Sequence, residues 1–178
     1  PGAVFLPVDY EEYSRVSRQV KEVLREFSPV MEDVGIDEAF LDITEVERSA
    51  EELAGAIKKK IGETTGLTCS IGIGPNKLIA KMCSEAKRPD GFFALEEAEV
   101  EKFLRDLPVR SLSGVGAKTG QRLGELGIRT VGELARTPVS HIVRNFGPIV
   151  GKGLHEHARG VEDSPVVPFF EPDSLWRE

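Results

Sequence analysis

The sequence predicts an α+β fold, mixed up to about residue 95 and all-helical beyond it. Three observations carry this. Apolar spacing alternates between helical and strand periods in the order α-β-β-α-β-α-β through Leu95. From Glu96 onward the strand pattern stops and only helical spacing recurs. Between the first two strand patterns two adjacent acids, Asp37 and Glu38, interrupt an apolar run that resumes at Ala39, Phe40 and Leu41. Neighbouring strand residues face opposite ways, so an acid pair within a strand would put one carboxylate in the core. A hairpin tip removes that conflict and lets both carboxylates turn toward one divalent metal. The plain alternative is a solvated polar turn.

The first helix begins at Asp9, an N-cap residue, and carries Tyr10, Tyr13, Val16, Val20, Leu24 and Phe27 as an apolar stripe. We read both tyrosines as packing residues. Ser28-Pro29 ends the helix, because the residue before proline is disfavoured in the α region. Strands follow at about 30–36 and 39–44, with the acidic tip between them. A helix from Ala50 to Ile61 is buried through Leu53, Ala56, Ile57 and Ile61. Residues 67–73 form the next strand. The helix Asn76–Ala86 then opens with Pro75 suited to its first position. Lys77 and Lys81 are i,i+4 near its start, where orphan N–H groups and ammonium charges together suit a polyphosphate. A solvated lysine face is the plain alternative. A last strand, 92–95, closes this part. The order resembles most of a βαββαβ, ferredoxin-like split fold short of its opening strand.

Helix 96–107 opens the second part. Leu112-Ser113-Gly114-Val115-Gly116-Ala117-Lys118 then precedes a helix through Leu123 and Leu126, and a shorter one covers Val131–Ala135. The arrangement resembles a helix-hairpin-helix module. Gly114 and Gly116 let backbone N–H groups approach a phosphate closely, and Lys118 sits at the next helix's start. Such a contact grips the nucleic-acid backbone without reading bases. Two more helices are expected over 138–160, broken at Asn145-Phe146-Gly147-Pro148, and the acidic, proline-containing stretch beyond Val161 reads as a linker.

The net charge of −7 at first argues against nucleic acid, but its distribution does not. Residues 1–66 hold 8 Lys/Arg against 15 Asp/Glu, whereas 108–160 holds eight basic residues against three acids. An acidic half joined to a basic module suits metal in one part and phosphates in the other. Cys69 and Cys83 lack metal-ligand spacing and read as reduced residues of a cytoplasmic protein. His155 and His157 diverge on a helix, and His141 is isolated. No run of about 18 apolar residues is present to span a bilayer, so no membrane partner is expected.

Taken together, Gly35-Ile36-Asp37-Glu38-Ala39-Phe40-Leu41-Asp42, Ser70 to Lys77, Ala80-Lys81 and Lys87-Arg88-Pro89-Asp90-Gly91 resemble the palm of DinB-like Y-family translesion DNA polymerases. Pro108–Ala135 resembles that family's thumb, and Ala158–Val161 with Pro165-Val166 its end. The resemblance implies a palm over 1–95, with 1–8 as the tail of the fingers, a helical thumb over 96–166, and a linker over 167–178. It implies Asp37 as a ligand to two catalytic Mg²⁺ ions and Glu38 as a ligand to the ion that activates the primer 3′-hydroxyl. Lys81, with Lys77 nearby, would contact the triphosphate of the incoming dNTP. Gly114, Val115, Gly116 and Lys118 would hold primer-template DNA.

The family's first palm strand with its aspartate, its fingers and its last DNA-binding domain have no counterpart in these residues. The expectation is therefore an incomplete metal site and little or no polymerase activity from this chain alone. An unpaired palm edge open to self-association is expected as well. The resemblance also admits a sliding clamp as a partner. Two rival readings stand beside it: a palm-like nucleotidyl cyclase, and a non-catalytic DNA-binding protein that uses only the basic region.

Overall fold

The computed structural model describes residues 2–168, which fold as two compact units: residues up to Cys69 together with those from Val166, and Ser70–Pro165. In the first unit, helix α1 spans Tyr10–Arg25, and Asp9 caps it by accepting a hydrogen bond from the Glu12 amide at 3.0 Å. Strands β1 (Met31–Asp33) and β2 (Ala39–Leu41) pair antiparallel, Met31 opposite Leu41 and Asp33 opposite Ala39. Helix α2 (Ala50–Thr65) starts with a reciprocal capping box between Ser49 and Glu52 and ends at Gly66, whose φ of 72° supplies the left-handed stop. Its buried side chains are Leu53, Ala54, Ile57 and Ile61, so Ala54 takes the core position expected of Ala56. Val23 and Met31 are the other buried apolar residues of this unit.

The tyrosine reading needs correcting. Tyr10 is 72% exposed and Tyr13 54%, because the first turn of α1 extends past the core that Val23 reaches. Ser28, 1% exposed, links the end of α1 to the hairpin. Its hydroxyl donates to the Asp42 carbonyl at 2.6 Å and accepts from the Val30 amide at 3.1 Å. A buried hydroxyl satisfied in this way fixes where β1 begins.

In the second unit, β3 (Ile71–Ile73) and β4 (Phe92–Ala94) pair parallel, bridged by helix α3 (Lys77–Ala86). The four expected strands thus exist, each shorter than the apolar pattern suggested, and they pair as two separate two-stranded sheets. Pro75 does not open α3. Asn76 does, with its Oδ1 accepting from the Ile79 amide at 3.0 Å. A side-chain acceptor at the N-cap satisfies an orphan donor, which proline at the first position cannot do.

The helical elements follow as α4 (Glu97–Arg105), a 3-10 turn (Val109–Ser111), α5 (Ala117–Glu125), α6 (Val131–Arg136), α7 (Val139–Phe146) and α8 (Pro148–Ala158). One hydrophobic core runs from Leu78, Ile79, Met82 and Cys83 of α3 through Leu104, Leu123, Leu134 and Ile142 to Leu154. The Asn76 amide also donates to the Gly160 carbonyl at 2.8 Å, tying the start of α3 to the end of α8. Among the described residues no helix is long and apolar enough to cross a membrane.

Candidate functional site

Asp37 and Glu38 occupy the loop between β1 and β2, as the paired acids require. The Val34 and Gly35 amides both donate to the Glu38 carbonyl at 3.2 Å, closing the tip backbone around the acid pair. Asp37 is exposed and Glu38 half-buried. Val34 and Ile36 are nearly half exposed, so apolar packing holds the tip only weakly. A further tie comes from α1. Lys21, whose side chain is 12% exposed, donates to Asp33 Oδ1 at 2.5 Å and to the Gly35 carbonyl at 2.6 Å. Below the tip lies a cavity of about 260 Å³, lined by Val16, Val20 and Leu24 of α1, by Ile61, and by Lys21, Asp37 and Glu38.

Downstream, Asp42 is held below its ordinary range because the Thr44 hydroxyl donates to its carboxylate, reinforced by the Thr44 amide. This Asx-type turn follows β2, the strand that leaves the acid pair. Carboxylates are hard oxygen donors and suit a divalent cation such as Mg²⁺, which takes one or two carboxylates with water and substrate phosphates. Among the described residues no cluster of three or more metal-ligating side chains is present, and Asp37 and Glu38 alone would supply only two carboxylates to an ion.

Lys77 and Lys81 lie in the second unit, at the first position and one turn into α3. Both are half-buried and engaged in contacts. The Asn76 cap and the buried Ile79 orient this helix start.

The glycine hairpin lies between the 3-10 turn and α5. The helix expected before it, 96–107, is α4, and the 3-10 turn lies between that helix and the hairpin, where Pro108 bridges to Thr130 and the Val109 amide donates to the Arg129 carbonyl at 2.8 Å. Gly114 has φ 88°, a conformation that costs other residues about 1–2 kcal/mol. Val115 is buried and anchors the turn, while Gly114, Gly116 and Lys118 are exposed. A Cβ at Gly114 or Gly116 would meet nothing within 4 Å, so the turn presents bare backbone to solvent. The first-turn amides of α5 point out beside Lys118 and have no intrahelical acceptor. Arg122, one turn on, lies over the Phe146 ring at 5.4 Å, a contact the sequence pattern did not signal.

Comparison with known proteins matches both parts of the chain. The impB/mucB/samB family matches residues 1–85, and the DNA polymerase-iota thumb domain matches 110–162. A DNA polymerase IV of Moorella thermoacetica is 41% identical over 171 residues, covering 94% of this chain and 42% of the relative. One from Nitrosopumilus maritimus is 42% identical over 168 residues, covering 92% of this chain and 46% of the relative. Among solved structures, DinB from Sulfolobus solfataricus superposes with a TM-score of 0.84 at 27% identity, covering 93% of this chain and 50% of that one. An insertion ternary complex of Dbh DNA polymerase matches with a TM-score of 0.84 at 29% identity, covering 92% of this chain and 48% of that one. The chain spans about half the length of the relatives it matches. With the acidic hairpin and the glycine turn both in place, and relatives of one kind aligned along nearly all of it, the chain belongs to the DinB-like Y-family DNA polymerases.

Proposed function

We propose that this chain is the palm and thumb part of a translesion DNA polymerase, and that the protein it serves performs template-directed nucleotidyl transfer. The observation that carries this reading is the Asp37-Glu38 hairpin tip, in a chain about 40% identical to proteins named DNA polymerase IV. Asp37 and Glu38 would hold Mg²⁺ by their carboxylates. When bound, the metal lowers the pKa of the primer 3′-hydroxyl and offsets charge on the leaving pyrophosphate. Lys81, with Lys77 before it, binds the dNTP triphosphate through ammonium charge at a helix start. Gly114, Val115, Gly116 and Lys118 hold the DNA backbone. In domain terms, 1–95 serves as palm, 96–166 as thumb and 167–178 as linker; residues 169–178 lie outside the described residues. The pairing of the strands as two separate two-stranded sheets supports self-association as a further reading, and the family likeness supports a sliding clamp and a cytoplasmic setting.

The test is primer extension by the polymerase that contains this chain. Asp37→Ala should abolish extension, by three or more orders of magnitude, while DNA affinity changes less than about twofold. Wild-type extension by that variant would refute the role given to Asp37. Nucleotidyl cyclisation of ATP or GTP without DNA would refute the polymerase reading itself.

A further inference from the structure

We propose that Lys21 is a positioning residue for the acid pair: from α1 it clamps the turn that carries Asp37 and Glu38. The proposal rests on the reading of those two residues as metal ligands. A lysine ammonium drawn this far out of water needs hydrogen-bond acceptors in place of the water it loses. Here two acceptors on one short turn satisfy it, Asp33 Oδ1 at 2.5 Å and the Gly35 carbonyl at 2.6 Å. Asp33 is the last residue of β1, and Gly35 stands two residues before Asp37. The clamp therefore holds the incoming side of the turn, Asp33 and Gly35, whose course leads to Asp37.

Apolar packing adds little there: Val34 and Ile36 are nearly half exposed, while the Val34 and Gly35 amides donate to the Glu38 carbonyl at 3.2 Å. A metal site held loosely by its supporting groups loses affinity even when its ligands are present. Lys21 is also a cation lining the same cavity as the acid pair, so by charge alone it would repel a divalent ion. Its pairing with Asp33 offsets that repulsion locally. The two roles predict opposite effects of removing it, which makes the proposal decidable.

The experiment uses the full 178-residue chain with Lys21→Met, Lys21→Arg, Asp33→Asn and Asp37→Ala variants. It reads amide hydrogen exchange, and Mn²⁺ affinity by water-proton relaxation. Methionine keeps the apolar stem packed while removing the charge. Lys21→Met should speed exchange at Val34 and Gly35 about tenfold, leave Leu53 and Ile57 of α2 unchanged, and weaken Mn²⁺ binding several-fold. Lys21→Arg should restore both readouts. Asp33→Asn, which leaves the stem in place, should speed the same two amides even if Lys21→Met proves too unstable to measure. Unchanged exchange at Val34 and Gly35 would overturn the clamp. Tighter Mn²⁺ binding by Lys21→Met would mean the lysine acts only as a repelling charge, and would overturn it equally. If Asp37→Ala binds Mn²⁺ as the wild type does, the metal reading fails, and the clamp then stands or falls on hydrogen exchange alone.

Discussion

At the scale of single residues, close backbone approach constrains this chain as much as chemistry does. Gly72 in β3 lies directly on α3, and a Cβ there would collide with the Ala80 carbonyl oxygen and the Ser84 amide. Neither is a flexible side chain that can move aside. Gly72→Ala should therefore cost about 3 kcal/mol or more of stability, measured by denaturant unfolding. The exposed Gly124, where a Cβ meets nothing, should tolerate alanine without loss. Cys83 illustrates the other side of burial: with no exposed surface, its thiol is pushed up to about 11. It is a packing residue with little thiolate to react at neutral pH. Cys69, by contrast, is only half-buried. Lys21 belongs to the same scale, and it was not legible in the sequence. It sits beside the apolar stripe of α1 like any solvated lysine, and only the fold brings Asp33 and Gly35 to it.

At the scale of elements, capping explains why the helices start where they do. Asp9, Ser49 and Thr130 each accept from the amide three residues on. Thr130 and Glu133 form a reciprocal box on α6, a helix of only six residues that needs its cap more than a long one does. Thr130→Ala should destabilise the thumb by about 1 kcal/mol. The box also has a pH signature. Glu133 is held below its ordinary value of 4.5, chiefly by the Arg129 amide, then by the Thr130 amide. A depressed carboxylate stabilises the fold above its unfolded pKa and loses that contribution as pH falls through its folded one. Thermal unfolding followed from pH 7 downward should thus show a loss that begins below about 4.5 and is smaller in Glu133→Gln. The opening residues of α1, α2, α3 and α6 were close to legible in the sequence because caps act locally, whereas α2 runs one turn past the expected Ile61, to Thr65. Strand lengths were not. Apolar alternation ran from 67 to 73, yet only Ile71–Ile73 finds a partner strand.

At the scale of the whole molecule, charge separates the work. The acidic first third carries the Asp37-Glu38 tip, and the helical module carries a basic surplus despite a net charge of −7. DNA binding by this chain should accordingly weaken linearly in log affinity as log salt rises. Lys118→Ala should reduce the magnitude of that slope by about 1, and Asp37→Ala should leave it unchanged. Fluorescence anisotropy with one duplex across a salt series measures both. A slope indifferent to Lys118 would remove the glycine turn from the DNA interface.

The sequence by itself determined the α+β class, the helices, the acid pair at a hairpin tip and the glycine turn before α5. Each depends on spacing within about ten residues, where hydrophobic period, caps and positive-φ glycines act directly. Only the tertiary structure decided what lies far apart along the chain. It left Tyr10 and Tyr13 outside the core, joined α3 to the thumb helices in one hydrophobic core, bonded Asn76 to Gly160 and brought Lys21 to the acidic turn. Those pairings depend on chain reversals that periodicity cannot encode, because a residue's hydrophobicity says that it is buried and not what it is buried against.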